Sequence, residues 1–300
     1  MKILENSKAY LAWISVSIVW GTTYLAIRIG VKDSPPMLFA GLRWMIAGTL
    51  FFGVLKSRGV KLPPKKQLFH IAVPGIFLIG IANGLVVVAE QWIPSGLAAL
   101  ILTTTTFFLF CMETSLPQGP KFNGTVLLGL VFGFIGVFMI FYHEINFIFS
   151  GSNFTGLLLI LLATFSWSFG TVYSKYKKAE GNLLIIASLQ MIIAGAGQTV
   201  IGLVLGEYNK FHFTYNSFLA FLYLIFIASL FGYACFIYAI AKLPISFVST
   251  YAYINPLIAL FLGWLLLGEE LNIQILFSAA IIIAGVFLVK KGSNISKSEV

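Results

Sequence analysis

Ten apolar runs of roughly 18–22 residues follow one another along nearly the whole chain, at about 9–29, 37–55, 69–89, 95–115, 124–142, 154–174, 183–206, 217–241, 246–267 and 273–290. At about 1.5 Å of rise per residue, each can cross a hydrocarbon core of about 30 Å. Lipid offers no partner to bare N–H and C=O groups, so runs of this length rich in Leu, Ile, Phe and Gly predict helices; the short alternating segments of a membrane barrel are absent. Composition excludes a soluble fold, since 59% of the 300 residues are hydrophobic and 10% are charged, against about 25% charged in ordinary soluble domains. The first run follows Lys2 and Lys8 but is too long for the core of a signal peptide, and no small-x-small cleavage site follows, so it is read as a retained helix.

The formal net charge of +9 does not point to nucleic acid, because its placement follows membrane topology. With the N-terminus in the cytoplasm, fifteen of the nineteen basic residues fall in cytoplasmic segments, among them Lys56, Arg58, Lys61, Lys65, Lys66, Lys121, Lys177, Lys178, Lys242, Lys290 and Lys291. The opposite side keeps Lys32 and Lys210, while Arg28 and Arg43 lie within spans. The expectation is a multi-pass cell-membrane protein of the bacterial inner membrane with both termini cytoplasmic.

The runs also form two copies of one block. Trp20, Arg43, Ala47 and Gly48 recur 147 positions later as Trp167, Gln190, Ala194 and Gly195, and Arg28 recurs as Lys175. Pro94 and Pro244, opening the fourth and ninth spans, stand 150 apart, and Gly136-Val137-Phe138 matches Gly285-Val286-Phe287 at 149. Each block holds five spans, an odd number, so the second must enter the membrane from the side opposite to the first. The predicted fold is all-α and integral to the membrane: ten transmembrane helices in two inverted five-helix repeats, 9–142 and 154–290, with a cytoplasmic tail at 291–300. Inverted repeats recur in secondary transporters, because two similar halves can open a central site to each side in turn.

The residues resemble the EamA-type members of the drug/metabolite transporter superfamily. The resemblance rests on Trp20-Gly21, Leu42-Arg43, the run Glu90-Gln91-Trp92-Ile93-Pro94-Ser95-Gly96, and Tyr251-Ala252-Tyr253-Ile254-Asn255-Pro256-Leu257 followed by Gly268-Glu269-Glu270. It implies an exporter-like fold of ten helices with the fifth and tenth peripheral and a solute cavity among the others. The first half departs from the pattern, carrying Thr105-Thr106 and Gln118-Gly119-Pro120 where the second has Asn255-Pro256 and Gly268-Glu269-Glu270.

Candidate pathway residues follow from spacing and depth. Trp20, Tyr24 and Arg28 form one stripe on the first span, and Trp167, Thr171 and Lys175 the matching stripe on the sixth. Arg28 and Lys175 would flank opposite mouths of a cavity, either steering anionic groups or snorkelling to the interface. Arg43 lies deep enough to need a carboxylate or carbonyl partner, and a structural clamp to Glu90 is expected in preference to direct substrate contact, with Gln91 and Asp33 as other candidate partners. Four consecutive threonines, Thr103 to Thr106, sweep about 300° of a helix, so only some can face a cavity, with Thr103 and Thr104 singled out; the remainder are expected to bond carbonyls four residues back. Asn255-Pro256 predicts a kinked or unwound turn, and Tyr233 and Tyr251 offer polar-tipped aromatic surface. Glu113 is the one acid expected inside a span that could exchange protons.

No constellation for catalysis, cofactor or metal is present: His70, His143 and His212 are scattered, Cys111 and Cys235 lie in separate spans and are read as packing residues, and no glycine-rich phosphate loop occurs. Gly129, Gly133 and Gly232 are read as packing glycines, and the stretch from Gly292 onward as a disordered tail. The expected partners are membrane lipid and a small-molecule solute, not nucleic acid, with a homodimer left open. The reading is a transporter, an exporter of small metabolites, amino acids or amphipathic drugs by alternating access, walled by the first, third, fourth, sixth, eighth and ninth spans. The rivals are a membrane enzyme or lipid-handling protein and a passive channel.

Overall fold

The computed structural model describes residues 2–93, 95–141, 152–267 and 273–298; Pro94, His143 and Gly268-Glu269-Glu270 lie outside them. The described residues form helices throughout, without a strand: α1 (Lys2–Asp33), α2 (Pro36–Ser57), α3 (Lys65–Ala89), α4 (Ser95–Leu102, resumed at Thr105–Thr114), α5 (Gly124–Phe141), α6 (Ser152–Tyr176), α7 (Leu183–Val204), α8 (Tyr215–Lys242), α9 (Ile245–Val248, resumed at Tyr251–Leu267) and α10 (Ile273–Ser298). Local chemistry sets several ends. Extended Pro35 precedes Pro36 at the first position of α2, Asn182 accepts from the Leu184 and Ile185 amides to cap α7, and Thr214 and Ser217 cap α8 reciprocally. Gly59, Gly181 and Gly206 take positive φ in the connections, a conformation open to glycine.

Large apolar side chains such as Leu11, Leu25, Phe69, Phe132, Leu162, Val204 and Phe287 stand exposed on the outer surface. With eight of the helices long and apolar enough to span a bilayer, this is a multi-pass membrane protein of two five-helix repeats. Equivalent helices of the two repeats pack on each other. Gly41 and Gly48 of α2 abut Thr199 and Ile192 of α7, and Gly129 and Gly133 of α5 abut Gly285 of α10. Gly133 also makes room for the Tyr253 ring and Gly232 for the Trp20 indole, in keeping with their reading as packing residues. Lys290 Nζ sits 4.9 Å from the Tyr10 ring centre, which brings the end of α10 to the start of α1 on one face, called here the terminal face.

Three features depart from the sequence expectations. First, α3 and α8 each contain a segment of wide, i→i+5 turns, Gly75–Asn83 and Leu224–Gly232, at an offset of 149. Wide turns strand carbonyls that lipid cannot satisfy, and other helices supply the donors: Ser166 Oγ to Phe77 O at 2.7 Å, Gln198 Nε2 to Ile79 O at 2.8 Å, and Trp20 Nε1 to Ala228 O at 3.2 Å. Second, the break in α9 falls at Ser249–Thr250, while Pro256 lies inside the helix that follows. The break in α4 at Thr103–Thr104 is tightened to three-residue turns, so the Thr103, Thr104 and Thr106 hydroxyls bond carbonyls three residues back, not four. Third, α10 continues through the stretch read as a disordered tail, because Asn123 Nδ2 donates to Gly292 O at 3.2 Å and the Ser293 and Ser246 hydroxyls meet at 2.8 Å.

Candidate functional site

Seven helices surround a chamber of about 80 Å³: Trp20, Thr23, Tyr24 and Ile27 on α1, Arg43 and Trp44 on α2, Ala82, Asn83 and Val86 on α3, Leu102 and Thr105 on α4, Ala163 and Trp167 on α6, Ala228 and Ser229 on α8, and Tyr251 and Ala252 on α9. The expected wall therefore gains α2. The residues of α1 to α3 belong to the helix halves remote from the terminal face, so the chamber is displaced away from that face. Both wide-turn segments contribute to its lining, Ala82 and Asn83 from one and Ala228 and Ser229 from the other.

Toward the terminal face the chamber ends on aromatic rings. Trp20 lies 5.3 Å from Trp167, 5.2 Å from Phe236 and 5.2 Å from Tyr251, and Trp167 lies 5.1 Å from Phe236, centre to centre. The two edge-to-face pairs, Trp20 with Trp167 and with Tyr251, add about 0.5–1.5 kcal/mol each beyond burial. The two tryptophans related by the repeat thus meet at the floor.

Arg43 is 1% exposed. Its Nη2 donates to Asn83 Oδ1 at 2.6 Å, Trp44 Nε1 donates to the same oxygen at 2.8 Å, and the guanidinium lies 5.0 Å from the Trp44 ring centre. The expected clamp to Glu90 is not formed: both Glu90 carboxylate oxygens, and Arg43 Nε and Nη1, lack hydrogen-bond partners among the described residues. Asn83 reaches the guanidinium instead, because the wide turns of α3 bring an amide to its depth. Glu90 remains within electrostatic reach of Arg28 and Arg43 and borders a recess with Arg28, Val31, Lys32 and Gln91. Asp33 accepts from the Thr214 hydroxyl at 2.9 Å.

Arg28 and Lys175 perform one task at opposite faces. Arg28 Nη1 donates to Glu90 O at 3.3 Å and Ile93 O at 2.7 Å, while Lys175 Nζ donates to Ile240 O and Leu243 O, each at 2.6 Å. The accepting carbonyls are themselves repeat-related by 150 positions and close α3 and α8, where helix C-termini leave carbonyls unpaired. Lys175→Met is expected to lower the thermal unfolding midpoint by about 5 °C or more, each charge-assisted bond being worth about 1.5–3 kcal/mol. Arg28→Met is expected to shift it less, since exposed Arg28 leaves its carbonyls open to substitute partners; equal melting of Lys175→Met and wild type would refute the tie.

The remaining candidates are dispersed. Thr103 is buried away from the chamber and Thr104 borders an apolar recess with Phe107, Phe108 and exposed Cys111; Thr105 lines the chamber in their place. Thr171 bonds Trp167 O at 2.8 Å, Tyr233 donates to Gln190 Oε1 at 2.8 Å, and the Asn255 amide, with its nitrogen turned toward them, donates to Ser17 O and Tyr251 O, each at 2.9 Å. None of the three lines the chamber. Glu113 accepts from the Tyr176 hydroxyl at 3.1 Å in a separate recess shared with Lys175. Sequence reading missed Asn83 and Ser229, whose signal is a lone polar side chain in an otherwise apolar glycine-bearing run.

The comparisons agree with this architecture. A family model described as "EamA-like transporter family" matches residues 7–142 and 154–290. The "Uncharacterized inner membrane transporter YedA" of Escherichia coli strain K12 is 33% identical over 298 residues, covering 97% of this chain and 94% of its own. The "Uncharacterized transporter YoaV" of Bacillus subtilis strain 168 is 27% identical over 282 residues, covering 94% and 96%. A solved crystal structure at 16% identity has the same fold, with a TM-score of 0.78 over 96% of this chain and 98% of that one. The chain therefore belongs to the EamA-like transporter family and is a membrane transporter.

Proposed function

We propose that the protein exports small amphipathic solutes (metabolites, amino acids or drugs) across the bacterial inner membrane by alternating access, with both termini in the cytoplasm. The observation that carries this reading is the position of the chamber: it lies between the repeats, is lined by both, and has repeat-related Trp20 and Trp167 meeting at its floor. Two further features support it. At about 80 Å³ the chamber is smaller than the roughly 300 Å³ or more of pockets that hold drug-sized ligands, so a solute of that size would need the helices to part. The wide turns of α3 and α8 place adjustable backbone beside the chamber in both repeats, where such parting would be absorbed. The inner-membrane assignment draws on the printed name of the Escherichia coli relative.

Purified protein in liposomes, screened with labelled amino acids and organic ions, is expected to give saturable counterflow; flux proportional to concentration without saturation would indicate a channel. Cysteines introduced at 56–67 and 175–182 are expected to react from one compartment, the cytoplasm. Pro63 and Gly181 lie side by side in the structure, so labelling from opposite sides would overturn the topology.

A further inference from the structure

We propose that the chamber selects a small organic anion: one oxyanion group, such as a carboxylate or sulfonate, on a flat apolar body. This rests on the chamber being the transport site and specifies what that site takes. The chamber presents donors without partners. Arg43 Nε and Nη1 and Ser229 Oγ belong to side chains that line it, and none of the three atoms has a hydrogen-bond partner among the described residues. Buried donors left unpaired are costly, and a ligand rich in acceptors satisfies them.

The charge census points the same way. Arg43 is buried at the chamber wall, and no Asp or Glu among the described residues lines the chamber. The buried guanidinium thus meets no carboxylate inside the chamber, in surroundings where an incompletely paired charge is expensive. An anion cancels it; an ammonium group finds no acid to meet. Guanidinium binds planar oxyanions better than it binds neutral acceptors. Arg28 and Lys32 at the neighbouring recess add a positive field on the approach. The aromatic floor of Trp20, Trp167 and Tyr251 then receives the flat apolar body.

The test uses benzoate and benzenesulfonate as anionic probes, with benzamide, phenylalanine and benzylammonium as neutral, zwitterionic and cationic counterparts of similar shape. Binding to the purified protein is read from tryptophan fluorescence, since Trp20, Trp44 and Trp167 all border the chamber. The anions are expected to bind about tenfold or more tightly than the three counterparts. Arg43→Gln is expected to weaken benzoate about tenfold while leaving benzamide unchanged, and Ser229→Ala to weaken benzoate by a smaller factor. Should Arg43→Gln fail to fold, the probe series on the wild type and Ser229→Ala still decides the matter. Absence of anion binding, or equal binding of a neutral, zwitterionic or cationic probe, overturns the anion assignment. Saturable counterflow of phenylalanine or benzylammonium without benzoate binding would sink the assignment and leave transport standing. An anion bound through Arg43 but showing no saturable flux would do the reverse.

Discussion

Replacing Gly195 with leucine is expected to leave little folded, monodisperse protein in detergent extracts. A Cβ at this position would stand 2.4 Å from Met45 N and 2.8 Å from the Gly41 carbonyl, both backbone atoms of α2 that no rotamer change can move. A Cβ on the repeat-related Gly48 would stand 2.8 Å from Ile192 N on the other side, so the α2–α7 crossing is locked symmetrically. In a bilayer, lipid tails are as apolar as the side chains, and close packing is what holds helices together. Overpacking costs about 1–3 kcal/mol even where side chains can yield, and a backbone clash leaves only separation of the helices, so a loss above about 3 kcal/mol is expected. Gly197→Leu supplies the control, since nothing lies within 4 Å of its Cβ position. Size-exclusion profiles and thermal melts of the two variants are the measurement. A Gly195→Leu protein melting with wild type would show that the crossing is looser than described.

Trp20→Ala is expected to reduce counterflow by about tenfold or more while the protein still folds, because the ring removed is the one that closes the chamber toward the terminal face. Truncating a buried tryptophan costs about 3–5 kcal/mol, and half-buried Trp20 belongs at the lower end. The substitution also frees the Ala228 carbonyl in the wide turns of α8. Trp20→Phe separates the two contributions: it keeps a ring on the floor but removes the indole donor, and its transport is expected to fall between alanine and wild type. Wild-type flux in Trp20→Ala liposomes would mean that the floor is not the seal.

Much of this arrangement was legible in the sequence because a bilayer leaves the chain few options. The apolar runs gave the helices, and the 147-residue offset anticipated that Trp20 and Trp167 would play matching parts, as they do in ring contact. Arg28 and Lys175 were paired by the same offset, though their bonds to the ends of α3 and α8 were not foreseen. The rest was hidden for an identifiable reason. Helical facing is read from a period of about 3.6 residues, and wide turns shift that phase partway along α3 and α8. Asn83 and Ser229 therefore reach the chamber from positions that the ordinary period does not mark. The tightened break in α4 likewise rotates Thr103 and Thr104 away and leaves Thr105 inside.

The sequence by itself determined that the chain crosses a membrane ten times in two opposed halves. Span length, basic-residue placement and an odd number of helices per repeat are one-dimensional properties, and lipid enforces them before any contact forms. Which side chains meet at the centre was decided only by tertiary structure. Arg43 turned to Asn83 and left the Glu90 carboxylate without a hydrogen-bond partner among the described residues, and Tyr233 went to Gln190 and not to the chamber. Those choices depend on how far each helix is rotated and how closely glycines let it approach its neighbour, quantities that exist only once the helices are packed together.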